Sequence, residues 1–126
     1  MSHEQEQPSA PSILAVEDDV GIGAFLLQAI TQETAYHMVL TTHSMEALQI
    51  AQDIKPALFI LNYNLPLMNG IELYDLLHAI PGLENVPTIM ISAILPKNEL
   101  QQRNIIGITK PFELDLLLNA IEQLLG

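Results

Sequence analysis

Three consecutive acids are the first candidates for chemistry in this sequence. Glu17, Asp18 and Asp19 come directly after the apolar run at 13–16, and neighbouring carboxylates repel one another. Such a cluster is tolerable when a metal cation or a lysine lies among the acids. Lys110 is a candidate partner because it is one of only four cations in the chain. Taken alone, the triplet is also typical of a solvated loop in which Asp19 caps a helix.

Other polar side chains follow later apolar runs in the same way. Asn62 ends the run at 58–61, and its neutral amide is a poor nucleophile and a poor metal ligand. Asn64 lies two residues further on. Ser92 ends another run, and its hydroxyl can donate to an oxyanion, although no base is placed to make it a nucleophile. The ammonium group of Lys110 can bind an anion or a carboxylate.

The segments that carry these residues alternate between short apolar runs and helical periodicity. Continuous apolar runs are typical of strands that are buried on both faces of a parallel sheet. The pattern predicts an α/β fold, a doubly wound parallel sheet of five strands with about five helices. In such folds ligands bind outside the carboxyl ends of the strands, where the polar residues converge. The predicted strands are 13–16, 37–41, 57–61, 86–91 and 105–108, and the predicted helices are 19–32, 44–54, 71–80, 97–103 and 112–125.

Composition excludes several classes of function. The 126 residues are 49% hydrophobic and carry a net charge of −11, which disfavours binding to nucleic acid or to an acidic membrane. There is no cysteine, and no apolar run approaches the roughly 20 residues of a membrane-spanning helix. Residues 1–11 are expected to be a disordered tail and residues 12–126 one domain. The default expectation is a cytoplasmic protein.

These residues in this order resemble the receiver domain of bacterial two-component response regulators. The resemblance covers residues 12–126 and includes the acidic pair Glu17 and Asp18 and the block 56–70 with its Leu-Pro-x-Met-x-Gly portion. The hydroxyl of Ser92 and the pair Lys110-Pro111 complete it. The resemblance implies a flavodoxin-like sheet with strand order 2-1-3-4-5. It also implies a site in which an aspartate accepts a phosphoryl group from a histidine kinase, with Mg²⁺ held by the acidic pair.

The sequence departs from the family pattern at three points. Asn62 stands where the family has its phosphoacceptor aspartate, and phosphoryl transfer needs a carboxylate both as attacking group and as metal ligand. Gly107 replaces the aromatic residue that the family usually has two positions before its Thr/Ser-Lys-Pro. Only 18 positions separate Ser92 from Lys110, so a fourth helix of the average length of about 11 residues does not fit easily.

These departures predict a degenerate pseudo-receiver that is not an enzyme. It would bind protein partners, such as a histidine kinase or another signalling protein, without phosphorylation, and Leu116 suggests a homodimer through the last helix. Glu17 and Asp18 would hold Mg²⁺ weakly or not at all, and no cofactor would be required. The alternative is a functional phosphoacceptor receiver, in which Asn62 was engineered from Asp or another residue, Asp19 or Ser92, takes the phosphate. A nucleotide- or flavin-binding domain is disfavoured because no glycine-rich loop follows the first strand.

Overall fold

The computed structural model describes residues 11–126, which form one parallel sheet with helices on both faces. The sheet has the order β2-β1-β3-β4-β5, so the predicted fold class and strand order are confirmed. All but residue 11 of the predicted disordered tail lies outside the described residues. The strands are β1 (Ser12–Val16), β2 (His37–Thr41), β3 (Leu58–Asn62), β4 (Thr88–Ser92) and β5 (Ile106–Thr109), and the helices are α1 (Val20–Glu33), α2 (Ser44–Ile54), α3 (Gly70–His78), α4 (Lys97–Arg103) and α5 (Leu114–Leu125).

Alternation along the central strands separates two hydrophobic cores. In β1, Leu14 and Val16 belong to the core beneath α2 and α3, whereas Ile13 and Ala15 belong to the core beneath α1 and α5. All four side chains are completely buried. Successive side chains of a strand point to opposite faces, so a strand covered by helices on both sides must be apolar throughout. The apolar runs in the sequence therefore mark the middle of the sheet.

Several helix details differ from the sequence prediction. Helix α5 begins at Leu114, two residues later than predicted, and the Lys110–Pro111 peptide bond that precedes it is cis. Helix α4 has seven residues, as the short spacing before Lys110 required. Phe25 and Leu76, which fall at apolar helical spacing in the predicted helices, are 44% and 46% exposed. Periodicity alone placed them at the edge of the apolar stripe, where solvent reaches the side chain.

The strand register brings the carboxyl ends of the central strands to one edge of the sheet. Val16 pairs with Leu61, Asn62 pairs with Ile91, and Ser92 pairs with Thr109. The residues that follow these strands therefore meet at the same edge. Within residues 11–126, no helix combines the length and the apolar character needed to cross a membrane.

Candidate functional site

The Asn62 side chain is the centre of a polar network at the carboxyl edge of the sheet. Its amide nitrogen donates toward Glu17 Oε2 at 3.1 Å and Asp18 Oδ1 at 2.9 Å. The same nitrogen also lies 3.0 Å from the backbone carbonyl oxygen of Asn64. An amide nitrogen carries two hydrogens, so these three acceptors share two donors. The three oxygens thus converge on a single nitrogen atom.

Lys110 lies on the other side of the same amide. Its Nζ is 3.3 Å from Asn62 Oδ1 and 3.3 Å from Glu17 Oε1. The amide therefore points its N–H groups at two carboxylates and its oxygen at an ammonium group. The opposite orientation would place an oxygen against the carboxylates and N–H groups against the lysine, which electrostatics disfavours. The surrounding charges fix the orientation of Asn62.

Glu17 is the buried acid of the site, with only 2% of the residue exposed. Burial raises the pKa of the Glu17 carboxyl, and the Asp19 N–H group and Lys110 oppose that rise. The Asp19 N–H donates to Glu17 Oε2 at 3.1 Å. Asp18, in contrast, is exposed. With two carboxylates and one ammonium group, the site carries a formal charge of −1.

Ser92 is tied to the loop that follows it. Its hydroxyl donates to the carbonyl oxygen of Ile94 at 2.9 Å and accepts from the Ile94 N–H at 3.3 Å. The Asn64 side-chain nitrogen lies 3.5 Å from Ser92 Oγ. The hydroxyl therefore serves a local turn, and none of residues 11–126 supplies a base in contact with it to generate a nucleophile.

The structure brings all six predicted site residues into one connected network. It also shows two contributors that the sequence reasoning missed, the backbone N–H of Asp19 and the backbone carbonyl of Asn64. Both are main-chain groups, whose positions depend on the turn and not on residue type. The six side chains of the network belong to Glu17, Asp18, Asn62, Asn64, Ser92 and Lys110.

A divalent cation does not fit this arrangement as it stands. Carboxylate and carbonyl oxygens suit Mg²⁺, and Glu17, Asp18 and Asn64 offer one such oxygen each. These oxygens converge on the Asn62 amide nitrogen, whose hydrogens repel a cation. Within the described part of the chain, no three acidic or histidine side chains form a group that could hold a metal ion. Metal binding would require the amide to turn or move away.

Gly70 allows the first turn of α3 to pack directly against the strand that carries Asn62. A Cβ atom at this position would lie 2.7 Å from the carbonyl oxygen of Asn62 and 2.9 Å from the Cα of Tyr63. The Gly70 N–H donates to the carbonyl oxygen of Tyr63 at 2.7 Å. Any larger residue would push the loop after β3 away from the site.

An apolar groove of about 510 Å³ adjoins the polar network between α1 and the loop before α5. Phe25 and Phe112 face each other across it, with ring centroids 6.3 Å apart in an edge-on arrangement. Among the described residues that line it, Lys110 is the charged one. The groove explains why Phe25 is exposed although it lies on an apolar helix.

Comparison with curated proteins gives relatives that match along most of their length. The polar-differentiation response regulator DivK of Brucella anthropi is 25% identical over 119 residues, covering 91% of this chain and 96% of that protein. The sporulation initiation phosphotransferase F of Bacillus subtilis is 28% identical over 117 residues, covering 90% of this chain and 92% of that protein. Each similarity covers about nine-tenths of this chain.

Solved structures show the same architecture. The chemotaxis protein CheY4 of Vibrio cholerae superposes with a TM-score of 0.83 at 24% identity, covering 91% of this chain and 98% of that chain. The receiver domain of a Pseudomonas aeruginosa sensor histidine kinase, whose structure has a magnesium ion in the active site cleft, gives 0.78 at 21% identity, covering 93% and 98% of the two chains. The family model of the response regulator receiver domain matches residues 13–122. The chain therefore belongs to the receiver domain family of response regulators.

Proposed function

We propose that this receiver domain works in signal transduction without being phosphorylated, through contacts with protein partners. One observation carries the proposal. The nitrogen of the Asn62 amide, which stands where the family resemblance places the phosphoacceptor, is hydrogen-bonded to the acids Glu17 and Asp18. An amide is a poor nucleophile, because its nitrogen lone pair is delocalised and its oxygen carries no negative charge.

Phosphoryl transfer to this position would need chemistry that an amide does not supply. The attacking oxygen must carry negative charge, and it must also share the Mg²⁺ that neutralises the phosphoryl oxygens. The Asn62 oxygen is neutral and faces Lys110 at 3.3 Å. The domain is accordingly a binding module and not an enzyme, and residues 12–126 are its folded unit.

The site is proposed to act as a polar latch with weak affinity for Mg²⁺. Asn62 joins the acids after β1 to Lys110 after β5 and so connects three strands at their carboxyl ends. The latch fixes one arrangement of the loops without a metal. Titration calorimetry with Mg²⁺ at physiological salt should give no binding at millimolar concentration. A clear isotherm in that range would contradict the latch.

Protein partners are the expected ligands of this domain. Val20 and Ile94 are 79% and 83% exposed near the site, and exposed apolar side chains beside a groove suit protein contact. The partner would be a histidine kinase or another signalling protein in the cytoplasm. The net charge of −11 on this chain argues against nucleic acid as the partner. A homodimer through α5 is a further proposal, based on Leu116, which is 53% exposed.

Intact-mass measurement after incubation with acetyl phosphate and Mg²⁺ tests the proposal. We expect no gain of a phosphoryl group, because position 62 offers an amide. Asn62→Asp is the matched variant, since it differs only in replacing the amide by a carboxylate and should gain one phosphoryl group. Stoichiometric phosphorylation of the unaltered chain would refute phosphorylation independence.

The alternative is a receiver that still accepts phosphate. It draws support from the relative in Bacillus subtilis that is named a phosphotransferase. Under this alternative Asn62 was engineered from Asp, or another residue takes the group, with Asp19 or Ser92 as the candidates. Peptide mapping of any phosphorylated species would identify which residue carries the phosphoryl group.

A further inference from the structure

The segment between β4 and α4 packs against Gly107, a position of β5 that has no side chain. Residues 93–96 connect Ser92 of the site to α4. A Cβ atom at Gly107 would lie 2.8 Å from Leu95 Cδ1 and 2.8 Å from Leu100 Cδ1. Leu95 comes from the connecting segment and Leu100 from α4, and Leu100 is only 5% exposed. The two leucines therefore occupy the space that any side chain at position 107 would require.

The end of α4 that lies away from the site is also anchored. The Arg103 guanidinium forms two parallel hydrogen bonds to Asp75 of α3, from Nε at 2.9 Å and from Nη2 at 3.0 Å. The Tyr74 hydroxyl donates to the carbonyl oxygen of Arg103 at 3.2 Å. A bidentate arginine–carboxylate pair restricts orientation as well as distance. Helix α4 is thus tied to α3 at its carboxyl end.

The end nearer the site is closed by the turn at Ser92. The hydroxyl bonds to both the N–H and the carbonyl of Ile94, and the Ile94 side chain projects into solvent. Movement of the loop toward the site would break these bonds. Movement of the loop away from β5 would expose Leu95 and leave an empty space above Gly107, which costs packing and hydrophobic energy.

We propose that Leu95 is a plug that holds residues 93–104 in one position, whatever chemical group stands in the site. Leu95 fills the space over Gly107 together with Leu100, while Ser92 and Arg103 fix the two ends of the segment. This goes beyond the proposed function, because it says that α4 stays fixed even when a carboxylate is restored at position 62. The surface around α4 is then a constant feature of the domain.

Amide hydrogen exchange measured by mass spectrometry tests the plug, with a matched pair of variants on the same loop. Leu95→Ala removes the plug, and we expect the amides of α4 to exchange at least tenfold faster than in the unaltered chain. Ile94→Ala truncates the neighbouring exposed side chain and should change them less than twofold. Exchange of β1 and β3 reports whether each variant is folded. Equal exchange of α4 in the two variants would overturn the proposal.

A second measurement separates this inference from the proposed function. Asn62→Asp is treated with acetyl phosphate and Mg²⁺, and intact mass establishes that the phosphoryl group is present. The rates of amide hydrogen exchange across residues 93–104 should then differ less than twofold between the treated and untreated forms. A larger change would contradict the proposed role of Leu95. Should the variant take up no phosphoryl group, the Leu95 and Ile94 pair decides alone. Phosphorylation of the unaltered chain bears only on the proposed function.

Discussion

Replacing Asn62 by Asp should destabilise the domain when no divalent cation is present. The Asn62 amide nitrogen is 3.1 Å from Glu17 Oε2 and 2.9 Å from Asp18 Oδ1, so the new oxygen would face two carboxylates at contact distance. At an effective dielectric constant of about 20, each pair repels by about 5.5 kcal/mol and Lys110 attracts by about 5 kcal/mol. The Coulomb cost before relaxation is therefore about 6 kcal/mol.

Protonation and relaxation limit that cost. Holding a carboxyl of ordinary pKa about 3.9 neutral at pH 7 requires about 4 kcal/mol, since one pKa unit corresponds to about 1.4 kcal/mol. The free energy of unfolding should therefore fall by about 2–4 kcal/mol in the variant. Mg²⁺ would neutralise the added charge, and at ten times its dissociation constant it should restore about 1.4 kcal/mol.

Urea unfolding at pH 7 measures both effects, in EDTA and in Mg²⁺. Asn85→Asp is the matched control, because Asn85 is exposed before β4, at the opposite edge of the sheet from the site, and gains the same charge. It should cost less than about 1 kcal/mol and respond little to Mg²⁺. The unaltered chain should show the same stability in both buffers. The reasoning fails if Asn62→Asp in EDTA is as stable as the unaltered chain, or if Mg²⁺ stabilises the two chains equally.

Three further changes test the packing, the ion pair and the dimer. Leu77→Ala should lower the free energy of unfolding by about 3 kcal/mol, against about 0.5 kcal/mol for the exposed Leu76→Ala, and similar losses would contradict the core assignment. The hydrogen bonds from Arg103 lower the pKa of Asp75 in the folded domain. Their contribution to the free energy of unfolding is therefore fully present above about pH 4 and is lost as the pH falls through the lowered pKa. Asp75→Asn should thus cost about 0.5 kcal/mol at pH 7, because the carboxylate is largely exposed, and the cost should shrink as the pH falls below about 4; a cost that stays unchanged in acid would be inconsistent with the ion pair. Leu116→Ala should weaken any concentration-dependent dimer in sedimentation, and a monomer at every concentration would rule out dimerisation through α5.

Much of the architecture could be predicted from the sequence because parallel sheets leave a simple signature. The apolar runs that became β1, β3 and β4 each end at polar residues, and the sheet places those ends side by side. The sequence alone was therefore enough to predict that Glu17, Asn62 and Ser92 lie together at one site. Phe25 and Leu76 were harder, because helical periodicity gives a direction and not the depth of burial.

The orientation of Asn62 and the role of Gly107 could not be predicted because both depend on what lies around a residue. An amide in a sequence has no direction, and only the placement of two carboxylates and one lysine around it decides which atom faces which charge. Gly107 reads in the sequence as a missing aromatic side chain, which suggests an empty space. The structure fills that space with Leu95 and Leu100. Substitutions at separate positions can thus compensate in three dimensions, so the loss of one side chain need not leave the fold looser.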